Sequence, residues 1–233
     1  MAFSVKNFIG DKAFYRRALA VAMPIMIQNG ITNFVSLLDN IMVGRIGTEQ
    51  MSGVAITNQL IFIFNLCIFG ATAGAGIFTA QYYGEHNCDG VRNTLRFKLI
   101  IGALVTALAF TVFLIFGDNL IWAYLSGNSD GGDMQAAFGY AKSYLNLMLI
   151  SFIPFMVLQS YSGTLRECNE TMLPMKAGFV AVAVNIALNY VLIYGKLGVP
   201  ALGVNGAATA TITARFVETA IVISWLHRHK EEH

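Results

Sequence analysis

Charge is what this sequence has least of. Only 12% of its 233 residues are charged, about half the roughly 25% of an ordinary soluble domain. So little polar surface excludes a soluble enzyme and a disordered chain. A net charge of +2 gives no grip on a polyanion, which excludes nucleic acid as a partner. Cysteine is scarce too. Cys67, Cys88 and Cys168 are odd in number and show no CxxC spacing, so neither a disulfide framework nor a zinc site is supported. The four histidines, His86, His227, His229 and His233, fall in loops or the tail. GxxxxGK[ST], HExxH and GxSxG motifs are missing, so no enzyme and no cofactor is expected. The opening MAFSVKNFIGDKAFYRR has no short apolar run before a small-residue cleavage site, so no removable signal peptide is expected.

What is abundant is apolar. Hydrophobic residues make up 56% of the chain, and the mean hydropathy is +0.60. Six apolar stretches, 18–43, 54–80, 99–117, 143–165, 177–195 and 201–226, contain only Asp39, Arg215 and Glu218 among all the charged residues. Crossing a hydrocarbon core of roughly 30 Å takes about 20 helical residues. Barrel strands would be about 10 residues of alternating polarity. The stretches therefore predict an all-α integral membrane protein, in which six transmembrane helices form one bundle over 18–226. A cytoplasmic or interfacial segment, 1–17, precedes it and a cytoplasmic tail, 227–233, follows.

Orientation follows from lysine and arginine. With the N-terminus inside, eleven lie on the cytoplasmic side: Lys6, Lys12, Arg16, Arg17, Arg92, Arg96, Lys98, Arg166, Lys176, Arg228 and Lys230. Arg45, Lys142 and Lys196 lie outside. The positive-inside rule then predicts a multi-pass cell-membrane protein with both termini cytoplasmic. The loop after the third stretch carries Trp122, Tyr124, Tyr140 and Tyr144, which suit anchors at headgroup level on a short interfacial helix.

Hydrocarbon offers no partner to a polar side chain, so polar residues inside the stretches are informative. Gln28, Asn29, Thr32, Asn33, Ser36, Asp39 and Asn40 fall within roughly 140° of one helix face. Pro24, upstream, removes a backbone hydrogen bond and predicts a kink or hinge. The amides read equally as helix–helix glue, but an intramembrane carboxylate such as Asp39 is costly and points to function. Asn185 and Asn189 share a face of the fifth stretch at a depth similar to that of Asp39. Thr209, Thr211 and Thr213 approach from the sixth. Arg215 and Glu218 read as an intrahelical i, i+3 pair or as snorkelling side chains. The Gly70xxxGly74 spacing predicts close backbone packing.

The run PIMIQNGITNFVSLLDNIMVGRIG, from Pro24 to Gly47, resembles the first helix of the MATE (multidrug and toxic compound extrusion) transporters. The resemblance continues through FTAQYYGEHN, SYSGTLRECNETMLPM, NIALNYVLIYG and GVNGAATATITAR. It implies a cation-coupled antiporter, driven by inward H⁺ or Na⁺, that expels drugs and other, often cationic, organic compounds across the lipid bilayer. It also implies an essential Asp39, cation ligands at Asn185 and Asn189 with Thr211 beside them, and a bend at Pro24. Na⁺ would sit at Asp39, Asn185 and Asn189, while Gln28 and Asn33 on the polar stripe complete the candidate set. The family usually has twelve helices in two parallel six-helix repeats, and this sequence matches the first. A fragment of a longer chain, a truncated non-transporting product and a half-transporter that pairs with a second copy or a second bundle all remain open. Lipid-linked glycan flipping by a related family is a further alternative. It would call for basic residues around the cavity to hold pyrophosphate, whereas Asp39 is the one charge on the polar stripe.

Overall fold

The helix ends are written locally in the sequence. In the computed structural model, which describes residues 11–127 and 133–228, Asp11 accepts a hydrogen bond from the Phe14 N–H at 2.7 Å and starts α1 (Lys12–Gly44). Asn87 accepts from the Gly90 N–H at 2.9 Å, opening α3 (Cys88–Gly127) after α2 (Thr48–Gly84). Asp133 caps α4 (Met134–Leu149) through the amides of Gln135 and Ala136. Such side-chain caps satisfy amides that the first turn of a helix leaves free. α5 (Phe152–Glu167) follows, then α6 (Met172–Tyr194) and α7 (Gly203–Arg228). α6 stops at Gly195, whose φ of +66° suits glycine in a left-handed cap. Lys6, Lys230, His229, His233 and residues 128–132 lie outside the described residues.

Five of these helices are long and apolar enough to cross a membrane, and α4 with α5, bent by 50° at their junction, are long and apolar enough to do so together. The expected continuous helix over 143–165 is therefore two helices, and Pro154 is the physical reason. It has no N–H to give the Ile150 carbonyl, and its ring crowds that same carbonyl. The turn at Ile150 and Ser151 closes instead through tighter bonds to Leu147 and Met148. Among the described residues, the segment after the third stretch holds no separate interfacial helix. α3 runs through Trp122 and Tyr124 to Gly127, and Tyr140 and Tyr144 belong to α4.

α2 lies at the centre against α3, α4 and α5, while α6 and α7 form a tight antiparallel pair with α1 along α6. Phe64 of α2 stacks on Phe152 of α5 at 3.8 Å between ring centroids, and Phe110 and Phe113 of α3 meet the same ring edge-on. The outward face of α3 is apolar at Leu104 and Leu108, a surface that lipid solvates. Gly70 and Gly74 pack against nothing within 4 Å. The expected close approach lies elsewhere. A Cβ on Gly206 would sit 2.7 Å from the Leu192 backbone, and one on Gly53 would sit 2.8 Å from the backbone of Ala137 and Ala141. A GxxxG spacing puts both glycines on one face of a helix, and among the described residues nothing packs on that face of α2.

Candidate cation and substrate site

The α6–α7 hairpin sets the geometry. With only hydrogen at Gly206, the backbones of α7 and α6 touch, and the Leu202 amide donates to the Leu192 carbonyl at 2.9 Å. This close seam brings Thr211 of α7 against Asn185 of α6, whose Nδ2 donates to the threonine hydroxyl at 3.3 Å. One turn further along α6, Asn189 is completely buried. Its Nδ2 donates to Asn185 Oδ1 at 3.1 Å and to Asp39 Oδ1 on α1 at 2.6 Å. Tyr194 holds the end of α1 nearby, donating to the Met42 carbonyl at 3.2 Å.

Four side chains from three helices thus form one network, in which Asn189 donates to both Asp39 and Asn185, and Asn185 donates in turn to Thr211. The amide of Asn189 spends both its hydrogens on oxygen acceptors, while its own carbonyl oxygen is buried without a hydrogen-bond partner. Buried polar atoms left unpaired are uncommon and call for an explanation. The same side chain holds its nitrogen against a carboxylate oxygen and a second amide oxygen, with the Thr211 hydroxyl one bond further on. Such all-oxygen donor sets suit hard cations.

The remaining candidates sit apart from this cluster. Gln28 bridges helices at another level: its Oε1 accepts from Arg166 at 2.8 Å, and its Nε2 donates to the Pro174 carbonyl at 3.3 Å. Asn33 is exposed, as are Asn29, Thr32 and Ser36, so that side of α1 forms an open polar face. Thr32 and Ser36 turn their hydroxyls back onto their own helix. Thr209 and Thr213 do the same on α7, leaving Thr211 alone to face α6. Pro24 is buried within α1, which continues as one helix across it.

Sequence reasoning missed several neighbours. Tyr144, expected at the headgroups, is buried in the bundle with its hydroxyl in hydrogen-bonding reach of Thr211. Its place at the inner edge of the fourth apolar stretch was the available signal. Arg215 makes no ion pair with Glu218. It reaches across to Ser151 Oγ at 2.8 Å, in the break between α4 and α5, and lies over the Phe155 ring at 5.0 Å. Three residues apart on one helix, the two side chains diverge: Glu218 lies close to Gly178 of α6, beside Gln28. Lys98, expected as a solvated cytoplasmic cation, is 1% exposed and paired with Glu167, with Thr164 accepting a further bond at 3.1 Å. Gly76 leaves room for that glutamate, since a Cβ there would overlap it.

Comparison with known proteins adds independent evidence. The family model described as MatE matches residues 24–191. The chain is similar to a probable multidrug resistance protein NorM of Thermotoga maritima, at 29% identity over 216 residues that cover 93% of this chain and 45% of that protein. It is also similar to two solved MATE structures. One, in complex with MaD5, matches with a TM-score of 0.78 at 23% identity. The other, in the bent conformation, matches with a TM-score of 0.76 at 23% identity. Each covers 90% of this chain and 45% of its own. The chain therefore spans about half the length of the relatives it matches.

Proposed function

Because the chain belongs to the MatE family of membrane transporters, we propose that it forms one six-span lobe of a cation-coupled antiporter that exports drugs or other organic, often cationic, compounds. The observation that carries this reading is the hydrogen-bonded convergence of Asp39, Asn189, Asn185 and Thr211, in which the buried amide oxygen of Asn189 is left without a partner. Either a proton on Asp39 or a Na⁺ held by Asp39, Asn189 and Asn185 would neutralise the charge there. Uncompensated, that charge is costly inside a membrane.

Coupling needs a cation that binds two conformations unequally, since equal affinity shifts no equilibrium. Asp39 rides on α1, whereas its partners ride on the rigid α6–α7 hairpin. Any bend of α1 at Pro24 changes the separation of Asp39 from Asn189 and hence the quality of the cation site. A MATE of the same fold has been solved in a bent and in a straight conformation. The exposed polar face of α1, at Asn29, Thr32, Asn33 and Ser36, would line one wall of the substrate path. A second bundle, either a second copy or a separate second half, would supply the opposite wall. In this reading Gln28 tethers the segment of α1 just beyond Pro24 to α5 and α6. The lysine and arginine bias puts both termini on the cytoplasmic side.

The test is Asp39→Asn in cells that depend on the transporter for dye efflux. Asparagine keeps the size and hydrogen bonding of the side chain but cannot carry the charge. Efflux should fall to background at an unchanged level of protein in the membrane. Undiminished efflux would remove Asp39 from the mechanism.

A further inference from the structure

At the end of the bundle opposite Asp39, α3 and α7 flank α5 without packing substantially on each other. The space between them is a groove of about 560 Å³, within the range of small-molecule sites. Its lining is mostly apolar, with Leu95 and Leu99 from α3, Leu165 from α5 and Leu226 from α7, joined by Thr164 and Glu170 and by the arginines Arg92 and Arg96. The two arginines are four residues apart, so they project from one face of the first turns of α3. The helix N-terminus beneath them adds its own positive end.

Both guanidinium groups have donors to spare. Arg92 makes one contact, to Asp89 at 3.5 Å, with the two side chains 59% and 88% exposed. Arg96 donates to the uncharged Asn93 at 3.2 Å. The other titratable groups nearby are engaged elsewhere. The Glu170 carboxylate accepts from the Leu173 amide at 3.3 Å, Glu167 is paired with Lys98, and the His227 ring faces the Ile223 carbonyl of its own helix. The groove lining thus carries two arginines against one carboxylate, Glu170, beside a largely apolar trough, with Asp89 next to Arg92. From its rim α3 continues as exposed apolar surface at Phe97, Ile100 and Leu104.

The geometry points to a binding site for an anionic phospholipid of the cytoplasmic leaflet, its phosphate on Arg92 and Arg96 and an acyl chain along Leu95, Leu99, Leu165 and Leu226. The leaflet follows from the orientation proposed above, while the ligand class follows from the groove alone. Arginine pairs bind phosphate oxygens with directed, charge-assisted bonds. Basic pockets between helices on the cytoplasmic side suit anionic headgroups. A free nucleotide or sugar phosphate would leave the apolar trough wet. A hydrophobic cation, the substrate class proposed for the transport path, would meet the arginines as like charge. The site lies away from the Asp39 cluster, so loss of lipid binding and loss of cation coupling are separable.

The experiment is native mass spectrometry of the purified protein with phosphatidylglycerol and phosphatidylcholine of identical acyl chains, repeated with Arg92→Gln/Arg96→Gln and with Leu95→Asn. Phosphatidylglycerol should be retained in preference to phosphatidylcholine. That preference should fall about fivefold for each arginine removed. Leu95→Asn should weaken both lipids, and glycerol 3-phosphate should not displace bound phosphatidylglycerol. Equal retention of the two lipids, a double variant that keeps the preference, or displacement by glycerol 3-phosphate would each overturn the proposal. Should the double variant unfold early in phosphatidylcholine nanodiscs, Arg92→Lys/Arg96→Lys replaces it. That pair keeps charge but loses the paired geometry, so an intermediate preference is expected and a preference of zero would refute the assignment.

Discussion

Asn189→Ala removes the one amide that joins α1 to the α6–α7 hairpin at the candidate site. The side chain is fully buried, and it donates at 2.6 Å to Asp39 and at 3.1 Å to Asn185. In water-soluble proteins a hydrogen bond to a charged group contributes about 1.5–3 kcal/mol. Within membranes, hydrogen bonds average about 0.6 kcal/mol and reach about 1.7, because helices separated in lipid also find partners. The short bond to a carboxylate belongs at the top of that membrane range, so the Asp39–Asn189 coupling should be about 1.5 kcal/mol. The longer, uncharged Asn185–Thr211 contact, at 3.3 Å, should couple by only about 0.5 kcal/mol. A double-mutant cycle over Asp39→Ala and Asn189→Ala, measured by reversible unfolding in bicelles, isolates the pair from cavity and solvation effects common to both variants. Asp39→Ala with Asn33→Ala serves as the additive control, since Asn33 is exposed and makes no contact with the cluster. A coupling below about 0.3 kcal/mol, the scatter of independent sites, would refute the idea that Asn189 holds the carboxylate in place.

Gly206→Ala should destabilise the protein by about 1–3 kcal/mol, because the added carbon meets helix backbone that cannot move aside. Gly70→Ala, with open space around it, should be neutral or mildly stabilising in the same unfolding assay. Burial, followed by the neighbouring Glu167 charge, pushes the Cys168 thiol up to about 11. The thiolate is the reactive form, so maleimide labelling of Cys168 should be slow at pH 8 and rise about tenfold per pH unit toward 11. A fast reaction at pH 8 would contradict that burial. In a background lacking Cys67, Cys88 and Cys168, Glu85→Cys and Leu197→Cys, both exposed at loops, should label from opposite sides of intact cells with an impermeant reagent. Labelling from the same side would overturn the topology.

The membrane class and the apolar stretches were legible because lipid imposes a composition that soluble folds never need. The cluster at Asp39 was legible for a related reason. A carboxylate and two asparagines stand out in hydrocarbon, and helical periodicity with span direction places them on facing sides at one depth. The break at Pro154 was legible by the rule applied to Pro24, since a proline in the interior of the fourth stretch also removes a helix hydrogen bond. Partner choice was hidden. Arg215 lies three residues from Glu218, which suggests an intrahelical pair, yet it bonds Ser151 because the α4–α5 break exposes that hydroxyl to α7. Lys98 reads as a solvated cation until α5 brings Glu167 against it. Both errors come from judging charges along one helix, when packing across helices decides what they meet.

The central claim is that a cation bound at Asp39 drives export, and proteoliposomes test it most directly. Vesicles containing the purified protein with whatever second bundle completes it take up a fluorescent organic cation against an imposed H⁺ or Na⁺ gradient. The account predicts uptake that follows one of the two gradients, vanishes when that gradient is collapsed, and is lost in Asp39→Asn. Uptake that persists without either gradient, or that survives in Asp39→Asn, would contradict it.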